Sequence, residues 1–187
     1  MSTTFEAFET RATAVSAEVH RFATRPEALA FIEGFLLEVG VSAAPDSGAL
    51  WVEGSFLEGI GQDHVRNQVP GVSFEVTRAA AASAKVGISQ LDWAIAGTGT
   101  LVQDATAVEK RLVSTLPPIH LAVLGTERIL ADFSSVLQRL QPEQINYIAF
   151  ITGPSRTADI ERVLTIGVHG PERLIVVVVD DFEKVSA

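Results

Sequence analysis

The sequence predicts an α/β protein with a mostly parallel sheet flanked by helices, preceded by a helical segment. Three observations lead there. The run Leu174-Ile175-Val176-Val177-Val178-Val179 does not alternate with polar residues, and a strand apolar on both faces belongs inside a parallel sheet covered by helices on each side. Shorter β-rich runs at residues 49–53, 72–76, 119–124 and 147–152 are separated by helical or glycine-containing stretches, the alternation typical of α/β folds. The first forty residues instead space their apolar positions by three and four. A chain of 187 residues buries roughly 70% of its unfolded surface as one domain. No repeat, low-complexity tract or linker divides it, so a single domain over 1–187 is expected, with helices at about 3–40 and an α/β core at about 49–180.

Each element has its own signal. Phe5, Phe8, Ala12, Val15, Val19 and Phe22 fall on one face of a single amphipathic helix. A second helix starts at Thr24, where threonine caps, Pro26 suits the first turn and Glu27 completes a capping box. Its buried stripe is Leu29, Ile32, Leu36 and Val39, and Gly40 ends it. The chain is thus expected to open with two helices and no strand. Farther on, Ile129, Leu130, Phe133, Val136, Leu137 and Leu140 repeat at helical spacing between two β-rich runs, which predicts a strand, helix, strand unit with a right-handed crossover.

Composition excludes several functions. With 47% hydrophobic and 20% charged residues the chain is too apolar for intrinsic disorder. No apolar run approaches the ~20 residues of a membrane-spanning helix, so membrane insertion is not expected. A formal charge of -9 opposes contact with nucleic acid or anionic lipid, and any anionic ligand must be captured locally. Zero cysteines rule out disulfides, a thiol nucleophile, cysteine-held zinc and a cysteinyl iron–sulfur cluster. Residues 1–10 contain Glu6 and Glu9 and no apolar stretch of signal-peptide length, which points to the cytoplasm. No histidine pair has helical metal-binding spacing, and no Gly-x-Ser-x-Gly elbow is present, so neither a metal site nor that type of nucleophile is expected.

Two segments look suited to chemistry. In the first, Gly97, Thr98, Gly99 and Thr100 interrupt apolar residues. Glycines let backbone approach a ligand, and exposed amides with two hydroxyls suit a carboxylate or phosphate. The same residues also suit a hairpin turn between residues 94–96 and 100–102. Val102 three residues after Gly99 removes the dinucleotide fingerprint, and no Gly-Lys-Ser or Gly-Lys-Thr makes a phosphate loop. The second segment, Gly153, Pro154, Ser155, Arg156, Thr157, Ala158 and Asp159, follows an apolar run and precedes Val163, Leu164 and Ile166. It reads as strand, tight turn and helix N-terminus, with Ser155 and Thr157 as caps and Asp159 in the first turn, where it either opposes the helix dipole or lines a site. That helix is expected to stop at Gly167.

His169, between Val168 and Gly170 in a glycine-rich loop, is the candidate acid, base or donor to a carboxylate, unless it is an inert loop residue. His20 and His64 are assigned to solvent, and His120 follows Pro117-Pro118 where a strand begins. Trp51 and Trp93 read as core or cleft walls.

The motifs Ala96-Gly97-Thr98-Gly99-Thr100-Leu101, Arg111-Leu112-Val113-Ser114-Thr115-Leu116-Pro117 followed by His120, Gly153-Pro154-Ser155-Arg156-Thr157-Ala158-Asp159-Ile160-Glu161 and Gly167-Val168-His169-Gly170-Pro171 together resemble the LUD-domain proteins, most closely the lactate utilization protein C branch. The likeness spans about residues 86–180. It implies the fold type shared by sugar-phosphate isomerases, coenzyme A transferases and methenyltetrahydrofolate synthetases. It also implies participation in oxidising L-lactate to pyruvate beside two iron–sulfur partner proteins, and the lack of cysteine here fits clusters held only by those partners. Gly97 stands where many members carry an acidic residue, so no carboxylate role transfers to that position.

The leading expectation is therefore an accessory subunit with no cofactor of its own, binding a small carboxylate or other small anion through Gly97, Thr98, Gly99, Thr100, Gly153, Ser155, Arg156, Thr157, Asp159, His169 and Gly170. Two alternatives stay open: a self-sufficient enzyme acting on a sugar phosphate, folate or acyl-coenzyme A, and an interaction scaffold whose glycine-rich loops are only turns.

Overall fold

The computed structural model describes residues 3–141, 143–158, 164–166 and 169–182. Helix α1, Thr4–Ala14, starts in a capping box: the Thr3 hydroxyl accepts from the Glu6 amide at 3.2 Å and the Glu6 carboxylate accepts from the Thr3 amide at 2.9 Å. The single helix expected to reach Phe22 ends here. Ser16 takes a φ of +69°, and Glu18–Phe22 form strand β1, not helix. Val15, Val19 and Phe22 keep helical spacing, but β1 lies along an edge of the main sheet, where a row of backbone partners outweighs a short helical extension rich in residues that favour strands. His20 moves with it. Assigned to solvent, it is half-buried instead, with its ring 4.5 Å from that of Phe31, and burial holds its pKa below the ordinary histidine value.

Helix α2, Arg25–Glu38, follows its sequence signals: Thr24 caps it in a box with Glu27, Pro26 sits in the first turn, and Gly40 after it has a φ of +78°. Its buried side chains are Ala28, Leu29, Ile32, Phe35 and Leu36.

Beyond α2 lie β2 (Ala49–Trp51), α3 (Gln62–Gln68), β3 (Val72–Ser73), α4 (Arg78–Ser83) and β4 (Val86–Gln90). Strands β5 (Trp93–Ile95) and β6 (Thr100–Asp104), helix α5 (Val108–Thr115) and strand β7 (Ile119–Gly125) follow. The chain continues through β8 (Ile129–Leu130), α6 (Phe133–Leu137), β9 (Ile148–Ile151), β10 (Arg156–Ala158), β11 (Leu164–Ile166) and β12 (Arg173–Val179). The main sheet has six strands in the order β1-β12-β7-β4-β2-β3, with every neighbouring pair parallel. Strand β12, the apolar run, is interior as predicted. Ile175, Val177 and Val179 face α2 with Leu121 and Val123 of β7. Leu174, Val176 and Val178 face α1 with Ala122 and Leu124, so both faces of the strand are dry.

A second sheet, ordered β8-β5-β6-β9, covers part of the α1 face. Here the predicted strand, helix, strand unit fails. Ile129 and Leu130 pair with β5, the helix shrinks to α6 behind its Asp132 cap, and β9 runs antiparallel to β6. A two-residue strand joined to a short helix presents the same apolar spacing as one longer helix, and pairing with β5 and β6 decides between them. The expected helix after residue 153 is corrected likewise: β10 and β11 form an antiparallel hairpin, with Thr157 opposite Thr165. Leu164 and Ile166 are therefore strand residues, and the proposed stop at Gly167 falls outside the described residues.

Candidate functional site

The Gly97–Thr100 segment is a hairpin turn, with Ile95 opposite Thr100 and Ala94 opposite Leu101. The Thr98 hydroxyl donates to Thr100 Oγ1 at 2.8 Å, and Thr100 Oγ1 lies 2.8 Å from Thr152 Oγ1 just beyond β9. Thr98 and Thr152 are exposed whereas Thr100 is buried, so the three hydroxyls dip from the surface inward and return. From Thr152 the contact continues: the Ser155 amide donates to the Pro171 carbonyl at 2.8 Å, and a Cβ on Gly170 would stand 3.2 Å from that of Ser155. The Thr98–Thr100 turn, the 152–156 segment and the loop at 169–171 thus adjoin one another in that order.

Two glycines in this run answer to packing. Gly99 has a φ of +67°, and a Cβ there would approach the Ala12 amide nitrogen to 2.4 Å; Gly153 has a φ of +71°, and its Cβ would reach the Val15 carbonyl to 2.3 Å. Both turns therefore press on the C-terminal end of α1. That end is the negative pole of the helix dipole and repels an anion unless a cation intervenes. Arg156 supplies one: its exposed guanidinium bonds Ser16 Oγ just past α1. His169 is exposed beside Gly170. Where a helix start is expected at Ser155 and Thr157, the chain forms strand β10, and Ser155 is held by its backbone bond to Pro171. Asp159 lies outside the described residues.

Arg111, in another of the motifs, stays inside the fold. Its guanidinium donates to the Ala105 and Thr106 carbonyls and lies 5.0 Å over the Tyr147 ring, tying α5 to the end of β6.

Sequence reading missed a buried polar chain. Gln103 donates from Nε2 to Ser89 Oγ at 2.8 Å, and Ser89 Oγ is 2.9 Å from His120 Nε2. All three side chains are fully buried. Ser89 Oγ accepts from Gln103, the donor between Ser89 and His120 depends on the imidazole tautomer, and His120 Nδ1 is buried without a partner. Burial lowers the His120 pKa to about 4, so the ring is neutral at physiological pH. The available signal was His120 as the lone polar side chain of the apolar strand β7, with Ser89 and Gln103 following apolar residues in β4 and β6. Among the described residues no cluster of three or more His, Asp or Glu is placed to hold a metal ion, and no helix is long and apolar enough to cross a membrane.

Comparison with known proteins places this geometry in a family. The chain is 36% identical over 113 residues to lactate utilization protein C of Exiguobacterium sp., covering 57% of this chain and 49% of that protein. It is 39% identical over 104 residues to lactate utilization protein C of Macrococcus caseolyticus, covering 52% and 45% respectively. The chain thus spans about half the length of these curated relatives. In structure it is similar to a DUF162 family protein from Deinococcus radiodurans, with a TM-score of 0.67 at 20% identity, covering 94% of this chain and 96% of the other, a likeness of fold. The LUD domain pattern matches residues 5–179, and on that match the chain belongs to the LUD domain family.

Proposed function

We propose that this chain serves lactate utilization as an accessory, small-anion-binding component, working in the cytoplasm beside iron–sulfur proteins that carry the electrons. The kinship to proteins named lactate utilization protein C supports the process. Oxidising L-lactate to pyruvate releases two electrons and two protons, and a chain without cysteine cannot hold a thiolate-ligated cluster to receive them. Its own contribution is recognition of the carboxylate. The observation that carries this reading is Arg156, an exposed guanidinium tied to Ser16 just past the α1 end on which the turns bearing the linked Thr98, Thr100 and Thr152 hydroxyls press, in a chain of net charge -9. A guanidinium offers a carboxylate a two-pronged set of donors, and neighbouring hydroxyls add further ones.

The test is calorimetric titration of the purified chain with L-lactate and pyruvate, with an Arg156→Gln variant alongside. Saturable binding that the variant loses supports the reading; no binding of either acid overturns it. The competing reading of a self-sufficient enzyme predicts turnover by the isolated chain. Ser89 and His120 are a serine–histidine pair at hydrogen-bond distance, but both are fully buried, out of reach of a substrate. Incubation with L-lactate and a nicotinamide cofactor is expected to yield no pyruvate.

A further inference from the structure

Ligands of open α/β folds gather beyond the carboxyl ends of parallel strands. Two cavities of about 600 and about 300 Å³ lie there, and Trp93, Arg139 and Gln141 line both, making them lobes of one groove. Glu127 and Arg128, just after β7, border the larger lobe; Asp92, two residues after β4, borders the smaller one with Asp104 and Gln144. The groove sits at the open end of the β5–β6 hairpin, whereas the Thr98–Thr100 turn closes the opposite end, so it is independent of the anion site proposed above.

The lobes differ in character. In the larger one Arg128 pairs with Glu127 at 3.8 Å and Arg139 adds a further positive charge, which favours an anion. Asp92 and Asp104 outnumber Arg139 in the smaller one, where Gln141 and Gln144 add planar amides. Asp92 is held in place: its carboxylate accepts from the Asp104 amide at 2.6 Å and lies 3.9 Å from Lys110 Nζ. Burial raises its pKa despite that lysine. Between the lobes stands the partly exposed indole of Trp93, a flat apolar surface for a planar ring.

From this arrangement we infer that the groove binds a mononucleotide, its base against Trp93 and read by Asp92 and Gln144, its phosphate on Arg128 and Arg139. A carboxylate accepts from exocyclic amino groups and an amide both donates and accepts along a base edge, while the guanidinium fork matches phosphate. A bare anion leaves the exposed face of Trp93 without a role. A neutral sugar leaves the excess positive charge of the larger lobe unmatched.

Trp51 is 2% exposed and Trp93 is the other tryptophan, so intrinsic fluorescence reports on the groove. The experiment titrates the purified chain with AMP, GMP, CMP and UMP, with the matching nucleosides and with inorganic phosphate. Calorimetry on the same samples separates binding from optical artefact. Saturation by at least one mononucleotide, at least about tenfold tighter than its nucleoside and than phosphate, is expected. Arg139 is exposed, so Arg139→Gln should keep the melting temperature and remove the phosphate advantage, while Asp92→Asn should weaken the mononucleotide and its nucleoside alike. No saturation by any of the four, phosphate binding as tightly as the nucleotides, or an Arg139→Gln variant with unchanged affinity would each overturn the inference. A failure here leaves lactate binding at Arg156 untouched, because that site is read with different ligands and a different variant.

Discussion

Ser89 Oγ and His120 Nε2 lie 2.9 Å apart with neither side chain exposed to solvent, so the main sheet holds a neutral histidine that water cannot reach. The consequence is a dependence of stability on pH. The folded-state pKa of His120, about 4, lies below its unfolded value near 6.5, so the unfolded chain binds the proton more readily. The stability that this ring contributes is fully present above about pH 6.5 and is lost as pH falls toward 4, with about 2 kcal/mol disappearing between pH 7 and pH 5. Urea unfolding at several pH values measures it. His120→Gln should flatten this part of the profile, and an unchanged slope in the variant would place the histidine in contact with water.

Gly99 and Gly153 should tolerate no side chain. Each combines a positive φ with backbone at the end of α1, Ala12 for Gly99 and the capping Val15 for Gly153, closer than 2.5 Å to a substituted Cβ. Alanine at either position is expected to cost roughly 2–4 kcal/mol, from the left-handed conformation together with forced displacement of the helix end. Denaturant midpoints of the two variants decide this. A loss below about 0.5 kcal/mol would mean that α1 does not bear on these turns.

His169 is exposed, so His169→Ala should leave the melting temperature within the range of ordinary surface changes, within about 0.5 kcal/mol. If the side chain contributes to lactate recognition, the variant fails to restore growth on L-lactate in a strain that depends on this chain. Normal growth would make His169 a loop residue without a role in the site.

Glu18 and Arg173 form a two-bond ion pair, both contacts at 2.8 Å, joining β1 to β12. The hydrogen bonds from Arg173 hold the Glu18 carboxyl below its usual pKa. Its contribution is therefore present above about pH 4.5 and lost as pH falls through the lowered folded value. Both side chains are 42% exposed, so screening keeps the pair to less than about 1 kcal/mol, and Glu18→Gln should lower stability at pH 7 by no more than that. A larger loss would show that β1 depends on this pair for its place in the sheet.

Local chemistry by itself determined the interior strand β12, the two capped helix starts at Thr3 and Thr24 and the hairpin turn before Thr100. Each depends on residues within a few positions: an unbroken apolar run, a threonine paired with a glutamate three residues on, and glycine at a positive φ. Tertiary structure alone decided that residues 18–22 form a strand, that Ile129 and Leu130 join β5, and that residues 156–158 turn back on 164–166. In each case the apolar spacing suits helix and strand alike, and the choice falls to a hydrogen-bonding partner that in two of the three lies over thirty residues away. The same holds for the polar groups. Ser89, Gln103 and His120 come from three separate strands, and their burial follows from closing the second sheet over the first. Trp93 and Arg139 share a groove because α6 is short and the chain after it returns to pair as β9 with β6.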